Sequence, residues 1–186
     1  MKPLARAVFL DRDGTVNVDV DHLHRREDLR LLPGVAKAIG NLNKLGFLVV
    51  LVTNQAAIAK GILTESGLDE IHALLFKRLG RERAHVDAVY YCPHHPGGNI
   101  AKYAIRCRCR KPEIGMIMKA VRRFKIDVKK SFLIGDTTND ILTGHRAGLT
   151  TILVKTGYGG RDKKHEVKPD FVVRNLTAAV RRIASL

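Results

Sequence analysis

Two aspartates one residue apart, in Asp11-Arg12-Asp13-Gly14-Thr15, follow directly on the apolar run Ala7-Val8-Phe9-Leu10. A lone aspartate there would serve as a turn former or cap. A pair at this spacing lets one carboxylate face a metal and substrate while the other reaches a leaving group. A carboxylate can attack phosphorus and form an aspartyl-phosphate. Thr53, in Thr53-Asn54-Gln55, ends a second apolar run, Phe47 to Val52. Its hydroxyl, with backbone N–H groups at a helix start, can hold phosphoryl oxygens. Lys111, in Arg110-Lys111-Pro112, can neutralise charge on nucleophile and phosphoryl. Gly135-Asp136-Thr137-Thr138-Asn139-Asp140 carries two further acids, suited to a hard ion such as Mg²⁺.

A second group is chemically distinct. All three cysteines lie between Cys92 and Cys109, in Cys92-Pro93-His94-His95-Pro96 and Cys107-Arg108-Cys109. An odd count argues against a disulfide framework. Zn²⁺ takes four nitrogen or sulfur ligands in a tetrahedron. Cys92, His94, Cys107 and Cys109 supply four, with His95 as an alternative to His94. Reduced thiols beside exposed histidines are the plainer reading. Four protein ligands leave no open position, so such a zinc is structural, and it fixes the loop presenting Arg110 and Lys111.

The elements that must position these residues alternate. Short apolar runs at 7–10, 47–52, 88–91, 131–134, 151–154 and 171–173 read as strands buried on both faces. Helical periodicity fills 35–44, 64–79, 115–124, 139–147 and 176–183. The alternation predicts an α/β fold, a three-layer, doubly wound parallel sheet. Asp11, Thr53 and Asp136 each follow the last apolar residue of a strand. In an open parallel sheet, that edge carries the ligand crevice.

In this order, Asp-x-Asp-Gly-Thr, Thr, Lys and Gly-Asp-x-x-x-Asp resemble the four motifs of the haloacid dehalogenase superfamily, from about Val8 to Gly157. The resemblance implies Asp11 as nucleophile and magnesium ligand. Asp13 is then general acid and later base, with its backbone carbonyl facing the metal. Thr53 and Lys111 hold the transferring phosphoryl, Asp136 completes the magnesium site, and Asp140 supports it. The cysteine motifs, with Val52-Thr53-Asn54-Gln55 and Tyr90-Tyr91-Cys92-Pro93, resemble the D-glycero-D-manno-heptose-1,7-bisphosphate 7-phosphatases and related histidinol-phosphate phosphatases. That implies a sugar bisphosphate substrate on the route to nucleotide-activated heptose, with histidinol phosphate as the rival. The spacing leaves no room for a large cap domain. One domain over 1–186 is expected, with a zinc loop at about 92–109. Substrate contacts implied are Asp19, Asp21, His22, Thr53, Asn54, Gln55, Arg110, Lys111 and Thr137. The chain departs from the pattern at Asp21-His22, where Gly-Tyr is expected. It departs again at Thr137, a position often held by a longer or basic residue.

The formal net charge of +15 admits an anionic small substrate, a polyanion, or a generally basic surface. The cations are spread along the chain, aromatics are 5% and Trp is absent, which argues against a nucleic-acid face. A remote third class is a basic zinc module with polynucleotide 3′-phosphatase activity. No apolar run approaches the roughly 20 residues of a membrane helix. The start, Met1 to Arg6, lacks a leader's apolar stretch, so a cytoplasmic protein is expected, and a compact capless domain suits a monomer.

Overall fold

The computed structural model describes residues 4–186; Met1, Lys2 and Pro3, where the leaderless reading begins, lie outside the described residues. The strands are β1 (Ala7–Leu10), β2 (Leu48–Asn54), β3 (Ala88–Cys92), β4 (Phe132–Gly135), β5 (Thr150–Val154) and β6 (Phe171–Val173). All pair in parallel, in the order β3-β2-β1-β4-β5-β6. The chain winds outward from β1 to β3, returns to the centre at β4, and winds the other way. The reversal falls between β1 and β4, where Val8 pairs with Phe132 and Leu10 with Ile134. A crevice opens at the carboxyl ends of such a strand pair. Asp11 and Asp136 are the first residues past those ends.

The helices are α1 (Val35–Lys44), α2 (Ala56–Ala59), α3 (Glu65–Gly80), α4 (Gly115–Phe124), α5 (Thr138–Ala147) and α6 (Leu176–Ala184). The central strands are apolar on both faces because both faces are covered. Val8 and Leu10 share one core with Ile39 and Leu42 of α1, Leu68 and Leu75 of α3, and Ile183 of α6. Ala7 and Phe9 face the other layer, with Met116, Ile117 and Ala120 of α4. Leu42 is fully buried, so Leu42→Ala costs about 2–5 kcal/mol. Gly46, in the left-handed region, ends the turn after α1 as the sequence predicts.

The expected α/β class and all six strands are present. β2 runs two residues beyond its apolar stretch, because Thr53 and Asn54 pair with Tyr91 and Cys92 of β3. The short α2 has too few residues for a periodic signal. Among the described residues, no helix is long and apolar enough to cross a membrane.

Candidate active site and metal cluster

At the β1–β4 switch, Lys111 bridges two carboxylates. Its Nζ lies 2.8 Å from Asp11 Oδ1 and 2.6 Å from Asp140 Oδ1. The backbone N–H of Arg12 also donates to Asp11 Oδ1 at 2.8 Å, leaving Asp11 Oδ2 without a partner among the described residues. Asp140 Oδ2 accepts from the backbone and hydroxyl of Thr137, closing a capping box on α5. Both its oxygens are therefore spent, and Asp140 holds Lys111 in place. Asp136 is fully buried. Its Oδ2 accepts from the Tyr158 backbone at 2.7 Å, and its Oδ1 has no partner. Gly14 and Gly157 both have left-handed φ, and a Cβ on either would collide with the Asp136 carboxylate. Glycine at both positions lets the backbone close around this acid.

Burial pushes Asp11 up to about 7; Lys111 pulls it back, and Asp140 and Asp13 push it further. Burial, then Asp11 and Asp140, raises Asp136 to about 8. Lys111 moves up as well, because Asp11 and Asp140 outweigh its desolvation. Asp11, Asp136 and Asp140 offer oxygens within 4.8 Å of one another. When all three are ionised, three carboxylates against one ammonium leave two negative charges in excess. An all-oxygen donor set with that surplus, and an orphaned buried oxygen on Asp136, fits a hard divalent cation.

Asp13 is held by other partners. Arg12 Nη2 donates to it at 2.8 Å, Asn17 Nδ2 at 2.9 Å and Gln55 Nε2 at 3.0 Å. Burial alone would raise Asp13, but Arg12, Asn17 and Gln55 hold it below the usual carboxylate range. Gln55 Nε2 also reaches Thr53 Oγ1 at 2.8 Å, tying the end of β2 to the first loop. Gln55, expected to touch substrate, thus also braces the acid and the threonine. Arg12 is fully buried, and the sequence reading passed over it as a site residue. Its signal was available: an arginine enclosed between two aspartates immediately after a buried strand.

The crevice is lined by every expected substrate contact, from Asp19, Asp21 and His22 to Arg110 and Thr137. Asp21 takes a left-handed φ of 65°, and its N–H bonds Asp19 Oδ1 at 3.0 Å. Lys60 Nζ donates to His22 Nε2 at 2.8 Å. Tyr158 and Lys164, in the segment between β5 and β6, also line the crevice and were not anticipated. That segment is pinned to α5: Thr138 N donates to Asp162 at 2.8 Å, and His165 N to Thr138 Oγ1 at 3.2 Å. Nothing in its basic sequence, 161–168, announces this docking.

The cysteines and His94 gather at the end of β3, in a group that could hold a metal ion. Their sulfurs lie 3.1–3.4 Å apart. His94 Nδ1 stands 3.4 Å from Cys109 Sγ and 3.6 Å from Cys92 Sγ. A tetrahedron with 2.3 Å arms has edges of roughly 3.8 Å, close to this spacing. His95 Nδ1 instead accepts from Gly97 N at 3.0 Å, so His94 is the fourth member. No cysteine is disulfide-bonded. Arg110 Nη1 donates to the His94 carbonyl at 3.1 Å, coupling the cluster to the crevice. Glu65 at the start of α3 accepts from Tyr91 at 2.6 Å and from Tyr103, which pins the loop to the body.

Comparison with known proteins agrees with this geometry. A HAD-hydrolase-like family model matches residues 108–179. The chain is 39% identical to the D-glycero-beta-D-manno-heptose-1,7-bisphosphate 7-phosphatase of Haemophilus ducreyi, covering 94% of this chain and 96% of that one. It is 38% identical to the D-glycero-D-manno-heptose-1,7-bisphosphate 7-phosphatase of Thermosynechococcus vestitus, covering 96% and 95%. The D,D-heptose 1,7-bisphosphate phosphatase of B. bronchiseptica, solved with magnesium and phosphate, superposes with a TM-score of 0.87 at 31% identity, covering 97% and 98%. With this likeness spanning nearly the whole chain and the acid cluster at the sheet switch, the chain belongs to the HAD-like hydrolases, in the family of heptose-1,7-bisphosphate 7-phosphatases.

Proposed function

We propose that this chain removes the 7-phosphate of D-glycero-D-manno-heptose 1,7-bisphosphate through a phosphate ester carried on Asp11. The observation that carries the reading is the convergence of Asp11, Lys111 and Asp136 at the β1–β4 switch, in a chain so similar to phosphatases of this name. The unpartnered Oδ2 of Asp11 attacks phosphorus as the bond to the sugar oxygen breaks. Arg12, Asn17 and Gln55 favour the Asp13 carboxylate in the free site, so Asp13 must take up a proton as substrate binds, and it gives that proton to the leaving oxygen. Asp13 then takes a proton from water, which attacks the aspartyl-phosphate, releasing inorganic phosphate and restoring Asp11. Thr53 and Lys111 hold phosphoryl oxygens, whose spread charge needs cationic partners in the transition state. Asp11, Asp136 and the Asp13 backbone carbonyl would hold Mg²⁺, which supplies further neutralisation of that charge. Cys92, His94, Cys107 and Cys109 would hold a structural Zn²⁺, with the loop at about 92–109 as part of a single domain.

Arg110 and Lys164 line the same crevice as Lys111 and suit the second phosphate of a bisphosphate. Gathered free thiols suit a reducing cytoplasm. The crevice is complete within one copy, so a monomer suffices. Turnover of the heptose bisphosphate, histidinol phosphate and a 3′-phosphorylated oligonucleotide tests the reading. The heptose compound is expected to have the highest kcat/KM; a higher value for either rival would sink the assignment.

A further inference from the structure

A guanidinium out of water needs its N–H donors occupied. In the fully buried Arg12, Nε and Nη2 are spent on Asp13, and Nη2 also reaches Gln55 Oε1 at 3.2 Å. Nη1 has one side-chain partner among the described residues, His72 Nε2 at 3.3 Å. Arginine has no lone pair to offer, so the ring nitrogen must be the acceptor. His72 is then the neutral tautomer, with its proton on Nδ1.

His72 interrupts the apolar stripe of α3 formed by Leu68, Ile71, Leu75 and Leu79. A polar ring in such a stripe is costly unless it has a partner. The ring stacks on Phe76 at 6.2 Å and tilts against Tyr91 at 6.4 Å, which restricts its orientation. Burial and the Arg12 charge hold it down to about 3, so it stays an acceptor at any working pH.

We infer that His72 is a positioning residue, fixing the Arg12 guanidinium so that Arg12 orients the Asp13 carboxyl toward the leaving oxygen. The inference rests on the role proposed for Asp13. His72 touches no reacting atom; it acts through Arg12.

The test uses leaving groups. A sugar alkoxide needs a proton to depart, whereas 4-nitrophenolate leaves without one. The ratio kcat/KM reports the steps up to departure of the alcohol, where the acid acts. His72→Phe removes the acceptor and is expected to lower kcat/KM for an alkyl phosphate by about tenfold or more, while 4-nitrophenyl phosphate changes less than about threefold. His72→Gln restores an acceptor and is expected to recover most of the alkyl activity. If the Phe variant fails to give a wild-type thermal melt, His72→Leu replaces it. Equal losses on both substrates, no loss, or no rescue by Gln would overturn the inference. The comparison runs on any alkyl phosphate the wild type turns over, so failure of the heptose assignment would leave it standing.

Discussion

The side-chain amide of Asn54 donates to the Lys111 carbonyl at 3.1 Å and accepts from the Lys111 N–H at 3.0 Å. Asn54 ends β2, while Lys111 lies in the irregular segment beyond the cysteines. The pair of bonds fixes the backbone from which Lys111 reaches Asp11 and Asp140. Displacing a catalytic group by about 1 Å can cost as much as 10²-fold. Asn54→Ala is therefore expected to lower kcat by about 10- to 100-fold, while a neutral hydrogen-bond pair contributes only about 1–3 kcal/mol to stability. Steady-state kinetics beside a thermal melt would separate the two; unchanged kcat would show that Lys111 needs no such clamp.

Asp11→Asn keeps the size of the side chain and removes its nucleophilic charge. Turnover is expected to fall on the order of 10³-fold or more, with the fold intact. Trapping the phosphoryl group on wild-type protein, and not on the variant, would check the assignment by mass spectrometry. Undiminished phosphatase activity in the variant would exclude Asp11 as nucleophile.

Metal and pH are linked through Asp11 and Asp136, raised to about 7 and about 8 from the ordinary aspartate value of 3.8. Groups raised on folding favour the folded state at low pH, and that contribution is lost as pH climbs through the folded values. His72, held down to about 3 from 6.5, works in the opposite direction but only below 6.5. Asp13 also opposes, at still lower pH. Between pH 6.5 and 8, the metal-free protein is thus expected to lose thermal stability. Added Mg²⁺ is expected to restore it, more at pH 8 than at 6.5, because the ion binds the ionised carboxylates. Melts in chelator and in magnesium across that window would measure this; a magnesium effect independent of pH would contradict it.

Legibility in the sequence followed physical redundancy. β1 and β4 were readable because both their faces are buried, and the crevice then follows from where parallel strands end. The convergence of the cysteines was readable because three thiols and a histidine within 18 residues, in two tight Cys-x-His and Cys-x-Cys pairs, can reach one point when the loop folds back. Asn54 and Gln55 were expected as substrate contacts and do line the crevice, yet their bonds to Lys111, Asp13 and Thr53 depend on long-range packing that no spacing reveals. His72 lay inside an ordinary helical stripe, where a satisfied core histidine looks the same. Lys164 needed the docking of Asp162 and His165 on α5, a tertiary event with no local pattern.

The cysteine cluster joins the crevice through the Arg110–His94 bond and through Arg110 itself, the one residue separating Cys109 from Lys111. Loss of a structural metal should therefore damage catalysis as well as stability. Cys109→Ser is expected to abolish stoichiometric zinc, lower the melting temperature and reduce kcat by at least about tenfold. Elemental analysis of carefully purified wild-type protein provides the baseline. Absence of zinc there, with full activity, would leave the four side chains as a reduced thiol cluster.

Arg110 and Lys164 should separate bisphosphate from monophosphate substrates. A hydrogen bond from a cation to phosphate contributes about 1.5–3 kcal/mol, or roughly 10- to 150-fold in affinity. Arg110 is half-buried and anchored at its far nitrogen by His94, so its loss should approach that range. Lys164 is exposed and its contact is screened by water, so a few-fold effect is expected. Both Arg110→Ala and Lys164→Ala should lower kcat/KM for the heptose bisphosphate through KM. Neither should change kcat/KM for a 7-monophosphate as much, because in the proposed mechanism Thr53 and Lys111 hold the transferring phosphoryl. Parallel losses on the two substrates would instead tie these cations to the reacting phosphoryl, and the second phosphate would then have to be recognised by the other crevice groups, among them Lys60 through His22.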